Sequence, residues 1–188
     1  MGCGKSTAAA LFEAQGFRRV DSDALVRDEI LRRPDVLAEV VAAWGDRVLD
    51  DDGQINRKAL AEVVFPHDEE RLKLESMVHP RLFAHWRELL HESKSEKWVF
   101  EVPLLLEKQL ENWFDFIVCV ASSAEVQLTR LSERGIPHAL AEQRISKQWP
   151  LARKQELADM VLWNDGSHAF LRDQVEHLIR HLTAVTAS

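Results

Sequence analysis

The sequence predicts an α/β fold, a parallel β-sheet flanked by helices with a helical region set into it. Three observations carry this expectation. Short apolar runs rich in strand formers (Trp98-Val99-Phe100-Glu101-Val102 and Phe116-Ile117-Val118-Cys119-Val120) alternate with helical patterns. Apart from Glu101 these runs are continuously apolar, as in strands covered on both faces. A helical pattern also starts directly behind the glycine-rich stretch Gly2-Cys3-Gly4-Lys5-Ser6-Thr7.

The elements follow in order. Ala8 to Gln15 favours helix, and Gly16 is placed to stop it. Phe17-Arg18-Arg19-Val20 reads as a short strand ending at Asp21-Ser22-Asp23. A second helix then carries Ala24, Leu25, Ile30 and Leu31 on one side. From Pro34 to about Lys94 the chain reads as helices broken by turns: Val36–Trp44, stopped by Gly45, and Arg57–Val64 after the turn Asp50-Asp51-Asp52-Gly53. A long amphipathic helix from Asp68 to about His91 is expected to kink or break at His79-Pro80. After the two apolar strands come helices at Val126–Glu133 and Ala139–Lys147. Met160–Trp163 reads as a last strand, stopped by Asn164-Asp165-Gly166, and Ala169–Thr183 as the closing helix.

Composition narrows the function. The chain has 188 residues, with Lys plus Arg 24 against Asp plus Glu 31, a formal charge of −7. That balance argues against a general nucleic-acid binder, whose affinity rests on cations facing phosphates. A phosphorylated small ligand needs only a few local cations and backbone amides. Cys3 and Cys119 lie far apart and form no metal-like spacing, which points to a reducing compartment. No apolar run is long enough to span a bilayer and no signal-peptide core is present, so a cytoplasmic protein without a membrane partner is expected.

Gly4-Lys5-Ser6-Thr7 is the second half of the phosphate-binding pattern G-x-x-x-x-G-K-[ST]. In such a P-loop the backbone amides wrap phosphate oxygens, the Lys reaches the β- and γ-phosphates, and the Ser hydroxyl serves Mg²⁺. This makes Gly2, Cys3, Gly4, Lys5, Ser6 and Thr7 candidate ATP ligands, with a flexible N-terminal tail as the plain alternative. The first glycine of the pattern and its leading strand would precede Met1, so the first strand of the fold is expected to be missing, as from a start assigned too late. Asp21 and Asp23, sixteen and eighteen residues after Lys5, are two carboxylates at a strand end. Such a pair suits accepting a hydroxyl proton and holding Mg²⁺, while a helix cap explains them as well.

These motifs belong to an ordered set that resembles the dephospho-CoA kinase family over nearly the whole chain. The set includes Met1–Thr7, Gly16, Asp21 and Asp23, Leu25-Val26-Arg27, and Trp44-Gly45. It continues with Asp52-Gly53-Gln54-Ile55-Asn56-Arg57-Lys58-Ala59-Leu60, His79-Pro80, and Val102-Pro103-Leu104-Leu105-Leu106-Glu107. Gln127, Arg130, Arg134 and Asn164-Asp165-Gly166 complete it. The resemblance implies a P-loop NTPase-type core (residues 1–30, 95–135 and 158–188), a helical substrate-binding region at about 31–94, and a lid at about 135–157, all in one domain. It implies ATP and dephospho-CoA as substrates, with the ribose 3′-hydroxyl as acceptor and Mg²⁺ required.

Within that frame Lys5, Asp23, Asp21 and Arg134 are the expected catalytic residues, with Ser6 and Asp21 toward the metal. Asp23, Arg27, His79, Pro103 and Leu104 are expected on the substrate side, and Arg134, Asn164 and Gly166 toward ATP. Gln127, Arg130 and Arg134 share one helix face, which suits phosphoryl contact or a solvated surface equally in type. Asn164-Asp165-Gly166 fits an adenine edge or a plain turn. Another small-metabolite or nucleoside monophosphate kinase predicts the loop and arginines but not the Val-Pro-Leu-Leu or Asp-Gly-Gln-Ile segments. An inactive nucleotide-binding remnant is the rival from outside the enzymes.

Overall fold

The computed structural model describes residues 1–93 and 96–185. The expected borders at Lys94 and Ser95 and the stretch 186–188 lie outside the described residues. The chain divides into two compact units, Met1–Arg19 with Lys97–Ser188, and Val20–Glu96.

In the first unit, α1 (Lys5–Ala14) packs on β2 (Trp98–Glu101) and on the long α9 (His168–Val185). The strands β3 (Val118–Ala121) and β4 (Met160–Trp163) pair in parallel, Val118 opposite Met160 and Ala121 opposite Trp163. β1 (Arg18–Asp21) straddles the division; its Arg18 N–H donates to the Lys97 carbonyl, and it is the strand paired with β2. The core holds Leu11 and Phe12 from α1, Val120 and Leu162 from the strand pair, and Leu171, Val175 and Leu178 from α9. Such runs bury because removing apolar area from water is worth about 25 cal/mol per Å². α6 (Ala124–Glu133) packs on α7 (His138–Ser146), and α8 (Leu151–Leu157), absent from the sequence expectation, packs on β3. The α/β class is as expected, but the sheet is two two-stranded sheets, β1–β2 and β3–β4.

The second unit is helical. α2 (Ser22–Asp28), α3 (Pro34–Trp44) and α4 (Arg57–Val64) all pack on α5 (Asp68–Glu92) or on the short turns between them. Val36, Val40, Leu60, Val64, Val78, Leu82 and Trp86 are buried. The turn at Asp50–Gly53 forms as expected, with Asp50 Oδ1 accepting from the Asp52 and Gln54 amides.

Of the kink or break expected at His79-Pro80, the break does not occur. α5 runs unbroken through His79-Pro80 for 25 residues. A proline removes one backbone donor and crowds the carbonyl four residues back, a local cost of about 3 kcal/mol. Burial of Val78, Leu82 and Trp86 on one side of that stretch offsets it. The Arg81 guanidinium also donates to the Met77 carbonyl at 2.6 Å, beside the disturbed turn.

Candidate functional site

The loop ahead of α1 is shaped by its glycines. Gly2 and Gly4 sit at φ +75° and +84°, in the left-handed region that glycine enters without a side-chain penalty. Neither has room for a methyl group. A Cβ at Gly4 would lie 2.2 Å from Asn164 Nδ2, and one at Gly2 would lie 2.8 Å from the Gln127 carbonyl oxygen. Gly4 is the residue that opens α1, and it makes no side-chain cap. The first amides of a helix have no acceptor inside it, and the aligned peptide dipoles leave partial positive charge there. Lys5 and Ser6, the first two helical residues, are exposed, while Ala8 and Ala9 behind them are buried. Amides, an ammonium and a hydroxyl therefore meet at one helix end, an arrangement suited to a polyphosphate.

Long-range contacts hold this loop. Asn164, just past β4 and only 6% exposed, donates from Nδ2 to the Cys3 carbonyl at 2.9 Å. Arg130 of α6 donates to the Gly2 carbonyl at 3.4 Å, to Ser122 Oγ at 3.2 Å and to the Asn164 carbonyl at 2.8 Å. Ser122 Oγ itself donates to the Asn164 carbonyl, and Gln127 Nε2 to the Ser122 carbonyl. The Asn164 N–H is also taken, by Ala121. Among residues read from sequence, Gln127, Arg130 and Asn164 thus converge on the loop. Gly166 lies in the turn beyond Asn164, against the Phe170 ring.

Arg134 ends α6 and is exposed. Pro103 and Leu104 begin the turn segment after β2. Glu107, within that segment, accepts from Lys154 Nζ at 2.6 Å and from the Trp149 amide at 3.1 Å. Lys154 drew no attention in sequence because it sits in a short charged stretch with no motif of its own.

In the second unit, β1 ends at Asp21 and α2 begins at Ser22. Asp21 is the N-cap: its Oδ1 accepts from the Ala24 amide at 3.0 Å. Asp23 is exposed on the first helical turn. The two carboxylates are therefore not neighbours on one extended strand, because the helix starts between them. Arg27, in the last turn of α2, is paired with Asp28 at 2.6 Å, and this pairing raises its already high pKa. His79 lies with Phe83, ring centroids 5.6 Å apart, in a groove of about 630 Å³ on α5 that Glu75 and Arg87 also line.

For a metal, the donors are hard oxygens. Among the described residues no cluster of three or more His, Cys, Asp or Glu is set to hold an ion. Mg²⁺ keeps several waters and takes one or two protein oxygens plus phosphate oxygens, a demand that hydroxyl and carboxylate oxygens such as those of Ser6 and Asp21 fit in kind.

The dephospho-CoA kinase family's sequence model matches residues 1–169. The chain belongs to the dephospho-CoA kinase family. Curated relatives named dephospho-CoA kinase include one from Geobacillus kaustophilus, 35% identical over 187 residues, with 97% of this chain and 92% of the relative covered. Another, from Fusobacterium nucleatum, is 34% identical, with 92% and 90% covered. A crystal structure of a Thermus thermophilus protein superposes with a TM-score of 0.85 at 31% identity, covering 97% of this chain and 93% of that one. A dephospho-CoA kinase structure from Campylobacter jejuni, with a TM-score of 0.64 at 24% identity, covers 96% and 92% and shares the fold. Membership explains why the loop of this kinase-family chain is so heavily supported: the family's reaction is won by positioning charge on a phosphoryl group.

Proposed function

We propose that this chain phosphorylates the ribose 3′-hydroxyl of dephospho-CoA with ATP, giving CoA and ADP, the last step of coenzyme A synthesis. The opening of α1 carries the reading. There an exposed Lys5 and Ser6 stand at a helix N-terminus behind two glycines in left-handed backbone, pinned by Arg130 and Asn164.

The roles follow from the chemistry. Amides of the loop from Gly2 to Thr7 take phosphate oxygens, and the Lys5 ammonium offsets charge on the β- and γ-phosphates. Charge spreads over the equatorial oxygens as the phosphoryl group moves, so fixed donors lower the barrier. Ser6, with Asp21, offers oxygen to Mg²⁺, which when bound neutralises phosphate charge. Asp23 takes the proton of the acceptor hydroxyl, a high-pKa alcohol that needs a base as its oxygen bonds to phosphorus. Asp21 is engaged as a cap through one oxygen, which supports Asp23 as the base. Arg134, at the end of α6, reaches for the transferring group, and the turn at Gly166 takes the adenine edge. Arg27, His79, Pro103 and Leu104 serve dephospho-CoA, with residues 31–94 as the substrate-binding region and 135–157 as the lid. The free thiols of Cys3 and Cys119 favour a cytoplasmic setting.

A coupled ADP-release assay tests the proposal. Mg²⁺-dependent ADP release with dephospho-CoA is expected. Turnover with a nucleoside monophosphate and none with dephospho-CoA would move the chain to another kinase on the same fold. No turnover with either, despite nucleotide binding, would mark a remnant.

A further inference from the structure

The carboxylate of Glu107 has no part in the roles given above, yet it is the meeting point of three elements. It accepts from Lys154 Nζ at 2.6 Å and from the Trp149 amide at 3.1 Å, and Lys154 also donates to Gln148 Oε1 at 3.5 Å. The Glu107 and Lys154 side chains are only 12% and 15% exposed. An ion pair in water is worth little, whereas one shielded from water attracts more strongly. Shielding also carries a desolvation cost, which the third donor, the Trp149 amide, helps to offset.

The two partners are held very differently. Glu107 sits in a tight turn in which the Lys108, Gln109 and Leu110 amides donate to the Leu104, Leu106 and Leu105 carbonyls. Gln109 closes the turn at φ +54°, a left-handed backbone that a residue other than glycine adopts only at a cost. Leu106, next to Glu107, is buried and fixes the turn from inside. Lys154 belongs to α8, which packs on β3 without burying any residue of its own. The Arg153 guanidinium lies 3.9 Å from the centre of the Trp149 ring, which ties α8 and the loop before it into one piece. The α7 helix has no comparable tether. It packs on α6 with only Ala141 buried, and the contact of His138 with Glu142 lies within the helix and in water.

On the reading of residues 135–157 as the lid, on which this rests, we infer that Glu107 is a positioning residue: from its rigid turn it fixes the returning arm of the lid, residues 149–157, and leaves α7 as the part that moves over the nucleotide. An arm already in place reduces the ordering that closure still requires, so a larger share of the molecules is competent to hold ATP.

The test compares the full 188-residue chain with Glu107→Gln, Lys154→Arg and the double variant Glu107→Gln/Lys154→Met. The double variant leaves no shielded charge unpaired, and its residue 107 still accepts from the Trp149 amide, so it serves where Glu107→Gln folds poorly. Amide hydrogen exchange, Tm, the Kd of dephospho-CoA alone, and KM and kcat with ATP are measured on each. In the parent the α7 amides should exchange about tenfold or more faster than those of residues 154–157. In Glu107→Gln and the double variant that difference should vanish and KM for ATP should rise about fivefold, with kcat and the Kd of dephospho-CoA near the parent's. Lys154→Arg keeps the charge and the donors, and should keep the parent's exchange and KM. Unchanged exchange at residues 154–157 in the double variant overturns the proposal, as does faster exchange there with an unchanged KM for ATP. A lower Tm with ATP and dephospho-CoA affinity lost in equal proportion marks a merely structural pair and also overturns it. A parent that turns over no dephospho-CoA sinks the kinase reading alone; the Kd of a non-hydrolysable ATP analogue then replaces KM and, with the exchange, still decides for or against Glu107.

Discussion

The opening of α1 and the opening of α2 each carry residues suited to phosphoryl transfer, yet they are held in different ways. Gly2 to Gly4 are fixed by residues more than a hundred positions away: Arg130 on the Gly2 carbonyl and Asn164 on the Cys3 carbonyl. The start of α2 is held locally, Asp21 capping Ala24 three residues on and Arg27 bonded to its neighbour Asp28. A loop built from distant parts is preorganised, so its donors are in place before substrate arrives. It is also brittle, since a change in any supporting residue reaches it. A locally capped helix end tolerates change at Asp23, which makes Asp23 a cleaner probe of chemistry than Gly4 or Asn164.

The largest expected effect is at Lys5. Lys5→Ala should lower kcat about 10³-fold, with circular dichroism and Tm unchanged because the side chain is exposed. Near-normal turnover removes the phosphate-binding assignment and with it the comparison.

Next is the α2 pair. Asp23→Asn should cut kcat by about 10²-fold while ATP affinity and Tm stay near the parent's. Asp21→Asn should retain most of the cap, because Asn is as good an N-cap as Asp. If Asp21→Asn abolishes turnover and Asp23→Asn does not, the two roles are reversed.

The supports of the loop come third, and they sharpen the contrast. Gly4→Ala meets both strained backbone and the Asn164 amide, a cost of about 1–3 kcal/mol. Asn164→Ala leaves the buried Cys3 carbonyl without its donor, about 1–3 kcal/mol again. Both should lower Tm and weaken ATP binding together, unlike Lys5→Ala and Asp23→Asn, which separate the two readouts.

The smallest effect is electrostatic and lies in the helical unit. Hydrogen bonds from Arg33 and then Arg81 hold the Asp35 carboxyl down at about 2, against an ordinary 3.8. A depressed carboxyl contributes stability above its unfolded pKa and loses it as pH falls through the folded one. The contribution is therefore present above pH 3.8 and fades toward pH 2. Acid melts of the parent against Asp35→Asn should differ slightly near neutral pH and converge at pH 2. Asp35 and Arg33 are solvent-exposed and Arg81 is half-buried, so added salt should shrink the difference.

Much of this was written in the chain itself. The four strands fall within two residues of the stretches that predicted them, and three of those stretches are mostly apolar, the pattern of strands covered by helices. The Gly-Lys-Ser-Thr stretch announces its chemistry because backbone amides, an ammonium and a hydroxyl are needed at fixed spacing, and spacing survives in sequence. The border set by Gly45 after α3 was legible for the same local reason, whereas the Asn56 cap that opens α4 emerged only in the fold.

What the chain alone left open depended on partners distant in sequence. Whether Asp21 and Asp23 share a strand face turned on a helix that starts between them, at Ser22. Pro80 signals a break by its own chemistry, but the burial of Val78, Leu82 and Trp86 carries α5 through it. Asn164 could be read as an adenine contact or a plain turn, and Arg130 as a phosphoryl contact or a solvated surface. Only the folded chain brings their donors onto the carbonyls of Cys3 and Gly2, since a hydrogen bond spanning 161 residues has no local signature.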